Sequence, residues 1–326
     1  MAEQILPGLY RLEIPLPKNP LKAINSYIIK GSDRTLIIDT GLDRPECLEA
    51  LQSGLAELGV DPAKSDFFVT HMHADHVGLL HAVKGPTSTV YASGPDAELI
   101  NTFATGTARW LPMQDYARKN GFPVDESKLA IDRHPGFRFG PKGLTDFTIV
   151  GEGSVIAVGD YRFICRLTPG HTKGHLCLYE PDKKLLLSGD HILGDITPNI
   201  SLWSDESDPL SVFLASLAAM DSLAVDLVLP GHRRTFTDCR GRIAELIAHH
   251  RRRADEALAI LASGAMSAYT VASRMSWSLT CRSWEEFPAP QKWFATGETL
   301  AHLRYLENQG AVRRSEQNGQ TLYHHC

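Results

Sequence analysis

The sequence contains no apolar run approaching the roughly 18 residues that a membrane-spanning helix requires, which argues against any membrane partnership of that kind. Met1 to Tyr10 lack both a basic segment and an apolar segment, so they do not read as a secretory signal. The cysteines Cys47, Cys165, Cys177, Cys239, Cys281 and Cys326 are scattered and never form C-x-x-C. That spacing gives neither a thiol-redox motif nor a disulfide framework, and the expectation is a cytoplasmic protein with free thiols. Cys165 and Cys177 fall on neighbouring expected strands as core residues, and no cysteine reads as a nucleophile. Basic excess is also missing. The formal net charge is -5, so no global field recruits nucleic acid or an anionic membrane. Residues 240–326 hold 11 Lys+Arg against 8 Asp+Glu, net +3, leaving -8 on the first 239. The run Arg251-Arg252-Arg253 in this stretch reads as a solvated helix surface rather than a nucleic-acid patch. There is no internal repeat and no low-complexity tract.

What is present is globular. With 43% hydrophobic and 22% charged residues over 326 positions, the chain can bury a large core in one large domain, or a large and a small one. Ile24–Lys30 and Thr35–Asp39 read as strands joined by Gly31-Ser32-Asp33. Pro45 opens a helix carrying Leu48, Leu51, Leu55 and Leu58 at helical spacing, with Gly59 just beyond its end. Asp66–Thr70 is the next strand. Further strands are expected at Ser154–Ala157, Tyr161–Leu167, His175–Glu180, Lys184–Ser188 and Val225–Leu229, with a helix over Asp208–Leu223. Residues 95–153, punctuated by Pro112, Pro123, Pro135 and Pro141, read as an insertion over the site with a helix around Arg109–Asn120. After Arg240 the pattern turns helical: Ile243–Ser263, Tyr269–Met275 and Thr296–Gln309. A hairpin turning at Asn318-Gly319 then closes the chain. Helices followed by a small hairpin suggest a winged-helix-like appendage.

The strongest chemical signal is Thr70-His71-Met72-His73-Ala74-Asp75-His76-Val77-Gly78. In an extended segment, side chains two apart share a face, so His71 and His73 can present imidazoles to one metal. The chain then turns, and Asp75 with His76 can point to a neighbouring metal. Imidazole nitrogen with carboxylate oxygen suits zinc, iron or manganese better than magnesium or calcium. Four polar residues in a solvent loop would be the plain alternative. Three histidines and an aspartate within six positions after a strand argue against it.

H-x-H-x-D-H resembles the signature of the metallo-β-lactamase superfamily, and the other motifs of that family follow in order. Leu36-Ile37-Ile38-Asp39-Thr40-Gly41 is similar to its early strand-turn motif, Thr168-Pro169-Gly170-His171 to its third motif, Ser188-Gly189-Asp190-His191 to its fourth, and Pro230-Gly231-His232 to its last. The resemblance implies an α/β fold: an αββα sandwich with a small, mostly helical, winged-helix-like C-terminal domain. It places the catalytic domain at residues 1–239 and the appendage at 240–326. It also implies a two-metal site, with zinc the first choice and iron or manganese open. His71, His73 and His171 would hold metal one. Asp75, His76 and His232 would hold metal two, with Asp190 bridging. Asp39 would accept a ligand histidine's N–H from behind. A hydroxide bridging two such metals is a strong nucleophile at neutral pH, and Asp75 could orient it and then help protonate the leaving group. His175 and His191 read as supporting donors or strand residues. His81, His134, His249, His250, His302, His324 and His325 read as surface or packing residues. Trp203, Trp277, Trp284 and Trp293 read as core.

The superfamily hosts several chemistries, so fold does not choose the substrate. Asp190 separates the chain from zinc β-lactamases, whose corresponding residue is commonly a cysteine or a non-ligand. The C-terminal region, with Thr299–Leu306 followed by Gly310, is similar to the lactamase-beta-two-like branch. The reading favoured here is hydrolysis of an ester or thioester, an acyl-CoA or similar acyl conjugate being the small-molecule substrate. An endoribonuclease of the same branch is an alternative; a mononuclear iron sulfur dioxygenase is another. A DNA-binding role for the appendage leaves the metal motifs unexplained. A homodimer stays open.

Overall fold

The structure is a computed structural model that describes residues 1–106, 110–278 and 281–326. It divides into two compact units. The first comprises residues 1–106, 138–198 and 216–243, and the second the described parts of 107–137, 199–215 and 244–326.

Two sheets form the frame of the first unit. Seven strands lie in chain order in one sheet: β1 (Glu3–Leu6), β2 (Leu9–Pro15), β3 (Ala23–Lys30), β4 (Thr35–Ile38), β5 (Asp66–Phe68), β6 (Val90–Ala92) and β7 (Thr148–Ile149). Pairing is antiparallel from β1 to β4 and parallel from β4 to β7. The second sheet runs β8 (Val155–Val158), β9 (Tyr161–Leu167), β10 (Leu176–Glu180), β11 (Leu185–Gly189) and β12 (Leu227–Pro230), with only β11 and β12 parallel.

Strand β4 shows why its sequence is apolar at successive positions. Leu36 and Ile38 point into a core that they share with Phe163, Leu178, Leu187 and Leu229 of the second sheet. Ile37, facing the other way, joins a core with helix α1 (Pro45–Glu57), where Cys47, Leu51 and Leu55 are buried. Alternate side chains of one strand therefore fill two different cores. Gly59, at φ +65°, follows the α1 C-cap Leu58 as a left-handed stop. Helices α2 (Ala74–Val77), α3 (Leu80–Val83) and α4 (Gly94–Ala104) cover the same outer face. This is the mixed α/β fold that the motifs imply.

The second unit is mostly helical. It is built from α5 (Trp110–Lys119), α6 (Val124–Asp132), most of the short α7 (Pro135–Phe139), parts of α8 (Pro209–Met220) and α9 (Cys239–Leu261), then α10 (Ala268–Arg274) and α11 (Ala289–Asn308). A hairpin of β13 (Val312–Gln317) and β14 (Gln320–His325) ends it, with Asn318 and Gly319 both at positive φ as a type I′ turn requires. The expected helix near Arg109–Asn120 appears as α5; Arg109 itself lies outside the described residues.

Residues 110–137 belong with the C-terminal helices of this unit. Glu126 pairs with Lys292 at 2.9 Å, and Asn120 accepts from the Tyr323 hydroxyl at 2.8 Å. Of the four tryptophans expected in the core, Trp293 is buried and stacks on Trp203 with ring centroids 3.9 Å apart, while Trp203, Trp277 and Trp284 are only half-buried. The basic run of α9 also departs from the expectation. Arg251 and Arg252 are exposed, but Arg253 is buried, pairs with Glu256 and Glu298, and lies over the Trp277 ring. Long Arg side chains bury well when their fork meets carboxylates, and α9 turns this one inward. No helix among the described residues is long and apolar enough to cross a membrane. All six cysteines are free thiols.

Candidate metal centre

The candidate ligands lie where parallel strands end, the edge at which α/β sheets commonly gather their functional groups. Asp39 follows β4, the His71–His76 segment follows β5, Asp190 follows β11, and His232 follows β12. His171 comes from the loop between β9 and β10. After the extended segment at His73, the chain enters α2 at Ala74, so Asp75 and His76 project from the first helical turn.

These residues converge. Ligand atoms of His71, His73 and His171 lie within 4.8 Å of one another, as do those of His71, His76 and Asp190, and those of Asp75, His76 and His232. His71 Nε2 is 3.0 Å from His73 Nδ1. Asp190 sits at the centre: Oδ1 is 3.6 Å from His76 Nε2, and Oδ2 is 3.7 Å from His171 Nε2 and 3.4 Å from His232 Nε2. Asp75 Oδ2 is also 3.4 Å from His232 Nε2.

Two imidazoles have their orientation set from behind. His76 Nδ1 lies 2.7 Å from Asp39 Oδ2, and His232 Nδ1 lies 2.7 Å from the Ala23 carbonyl oxygen. Carbonyl and carboxylate oxygens only accept, so each Nδ1 carries a proton and Nε2 is directed into the site. Asp39 also accepts from the Thr70 N–H at 2.9 Å and the Thr70 hydroxyl at 2.7 Å.

Electrostatics follow from burial and these short separations. Burial opposes the charge on Asp190, yet His232 and His76 hold its carboxyl well below the usual range. Asp75 is likewise opposed by burial and lowered by its contact with His232, then by His76. Burial keeps His71 neutral, with the charges of His76 and His73 adding to the effect, and it lowers His73 to about 3. His76 and His232 go the other way. Burial lowers them, but for His76 the charges of Asp39 and Asp190 more than compensate, and for His232 those around Asp190 and Asp75 raise it to about 10.

His76 Nε2, His232 Nε2 and Asp190 Oδ1 are buried without a hydrogen-bond partner. Such atoms are costly in a protein interior unless something compensates them. Nitrogen and carboxylate donors converging at these distances fit a divalent transition metal, and zinc in particular.

Two supporting residues lie outside the motif ligands. His175 Nε2 accepts from the Asp190 N–H at 3.0 Å, and its Nδ1 is 2.8 Å from the Thr168 hydroxyl, so His175 acts on Asp190 as an acceptor rather than a donor. Burial holds its pKa well below the ordinary histidine value. Asp96 escaped the sequence reading altogether. It is buried at the start of α4, accepts three hydrogen bonds from the two histidine loops, and burial raises its carboxyl to about 6. Only its position just past the end of the parallel strand β6 could have signalled it.

The sequence pattern of the metallo-beta-lactamase superfamily matches residues 20–232, and that of the metallo-beta-lactamase-like C-terminal domain matches residues 285–325. The chain belongs to the metallo-β-lactamase superfamily, whose members generally bind divalent metals, usually zinc. It is a hydrolase of that superfamily. It is 29% identical over 226 residues to the acyl-coenzyme A thioesterase MBLAC2 of Homo sapiens, covering 65% of this chain and 74% of that one. It is 26% identical to the probable metallo-hydrolase YqjP of Bacillus subtilis, covering 91% of each. The crystal structure of a metallo-beta-lactamase family protein from Thermus thermophilus superposes with a TM-score of 0.83 at 29% identity, covering 99% of this chain and 100% of that one.

Proposed function

We propose that the chain hydrolyses ester or thioester bonds, with acyl-CoA or a similar acyl conjugate as the substrate class, using two divalent metal ions, zinc for preference. The observation that carries this reading is the position of Asp190, within 3.4–3.7 Å of His76, His171 and His232 at once. A carboxylate placed there can serve both triads, His71/His73/His171 on one side and Asp75/His76/His232 on the other. The likeness to an acyl-coenzyme A thioesterase supports the substrate class. So does the likeness, at 27% identity over 80% of this chain and 65% of that one, to the atrochrysone carboxyl ACP thioesterase nsrC of Aspergillus novofumigatus.

Metal bound in such a site supplies a water acidified to a pKa of about 7 and a Lewis acid for the acyl oxygen. The protein's own groups do the rest. Asp39 and the Ala23 carbonyl hold Nδ1 of His76 and His232 as hydrogen-bond donors, which turns each Nε2 into the site; metal binding there would displace the Nε2 proton that Asp190 and Asp75 favour. Burial of His71, His76, Asp190 and His232 keeps bulk water from these donors. Asp75, held well below the usual carboxyl range, is a weak base, so its part is to orient the attacking water through an accepted hydrogen bond. A thiol leaving group, with a pKa of about 8.5, departs with little acid assistance, which suits thioesters.

The test is purified, zinc-loaded protein assayed for thiol release from acyl-CoA thioesters of increasing chain length, beside nitrocefin, a lactone, a phosphodiester and RNA. Turnover of the thioesters above the other substrates is expected. Salt-sensitive RNA cleavage without thioester turnover would replace this reading with the nuclease.

A further inference from the structure

We propose that Asp96 is the positioning residue that brings the His71/His73 pair and His171 into one metal-binding constellation. This inference rests on the two-metal reading above and adds to it a residue outside the ligand motifs. One carboxylate ties together two loops that are far apart in sequence. Oδ2 accepts from the backbone N–H of Met72, between His71 and His73, at 3.0 Å, and from the hydroxyl of Thr172, next to His171, at 2.6 Å. Oδ1 accepts from the backbone N–H of Gly174 at 2.8 Å. Both histidine loops are thus fixed to the same rigid group at the N-terminus of α4. Its own backbone is anchored there by the N-cap Ser93, whose hydroxyl accepts from the Asp96 N–H. A helix N-terminus also favours the negative charge.

The close approach is built into the sequence at Gly174. A Cβ there would fall 2.0 Å from Ser93 Oγ and 2.8 Å from Asp96 Oδ1, so any side chain would push the His171 loop off the helix. The three donors are two backbone N–H groups and a hydroxyl, which need an acceptor with several lone pairs in one place. A carboxylate provides that, and an amide does not. In Asp96→Asn the amide N–H₂ must oppose either the Met72 or the Gly174 N–H, so one of the two loops loses a backbone hydrogen bond and meets a repelling donor in its place.

The experiment titrates Zn²⁺ into the metal-depleted full-length chain against a chromophoric chelator, for the native protein, Asp96→Asn, Thr172→Val and His171→Ala. Co²⁺ absorption spectra are recorded at each step. Asp96→Asn is expected to weaken one binding step about 10–100-fold, the range seen when a residue orienting metal ligands is lost. The other step keeps its affinity, and the Co²⁺ band of the weakened step shifts. Thr172→Val, which removes one donor and leaves the carboxylate, is expected to weaken the same step by less. His171→Ala is expected to abolish that step; if it leaves both steps intact, the metal-site reading fails and this inference falls with it. If His171→Ala removes a step while Asp96→Asn and Thr172→Val keep native affinities and spectra and only melt earlier, Asp96 is a structural cap and the inference alone is overturned. Should Asp96→Asn fail to fold, native binding by Thr172→Val overturns it equally.

Discussion

Asp39 Oδ2 lies 2.7 Å from His76 Nδ1, and Asp39 reaches it from a left-handed backbone with φ of 58°. Aspartate tolerates that conformation better than most residues, which allows a single position to turn the chain after β4 and orient the His76 imidazole. In Asp39→Asn, the amide can offer N–H₂ to Nδ1, so the proton moves to Nε2, the atom that faces Asp190. Metal affinity should fall about 10–100-fold with the fold intact. Competition titration against a chelator reads this directly, and unchanged affinity would reduce Asp39 to a turn residue.

Asp190 tests the shared carboxylate. Asp190→Ala should weaken binding of both metals, whereas His171→Ala should remove only one. Elemental analysis of the purified variants distinguishes the two patterns, and full occupancy in Asp190→Ala refutes the bridging role.

Gly189 controls how Asp190 is presented. Its φ is +48°, and a Cβ would sit 2.7 Å from His175 Nε2, the acceptor of the Asp190 N–H. Gly189→Ala therefore combines backbone strain with displacement of that bond. A stability loss of more than about 1 kcal/mol is expected in urea unfolding, together with reduced metal content. Native occupancy in the variant would show that the Asp190 turn adapts.

Away from the metal centre, His250 Nδ1 lies 3.3 Å from His302 Nε2 inside the second unit. Burial, then the charges of His302, His249 and Arg253, lowers His250 to about 2. Burial lowers His302 to about 4, against the raising effect of the Glu298 carbonyl. Both histidines are neutral in the folded chain and protonate in the unfolded chain below about pH 6.5. The unfolded state then binds more protons, so the pair's stabilisation is complete above pH 6.5 and is lost as pH falls toward 4. In metal-depleted protein, the native chain should lose on the order of 2 kcal/mol more than His302→Gln between pH 7 and pH 4.5. Parallel pH profiles for the two proteins would contradict this.

Much of the architecture was legible because local signals carry it. Pro45 and Gly59 bracket α1, Asn318-Gly319 marks the last turn, and the apolar run at Leu36–Ile38 marks a strand buried on both faces. The histidine cluster stood out for the same reason, since its donors lie in short, ordered motifs. What stayed hidden depends on contacts between distant segments. Strands β6 and β7 are three and two residues long, too short for any periodicity. Ser93-Gly94-Pro95-Asp96 reads as an ordinary helix start, and only the fold brings Met72 and Thr172 to Asp96. Arg253 sits in a basic run whose neighbours face solvent, and its burial is decided by Glu298, 45 residues away.

Two-metal thioester hydrolysis is read by titrating metal-depleted protein with Zn²⁺ while following thiol release from an acyl-CoA. Thiol release that rises to saturation at two equivalents per chain is the predicted result. Saturation at one equivalent of iron with oxygen consumption, or two bound zinc ions with no thiol released from any acyl-CoA, would contradict it.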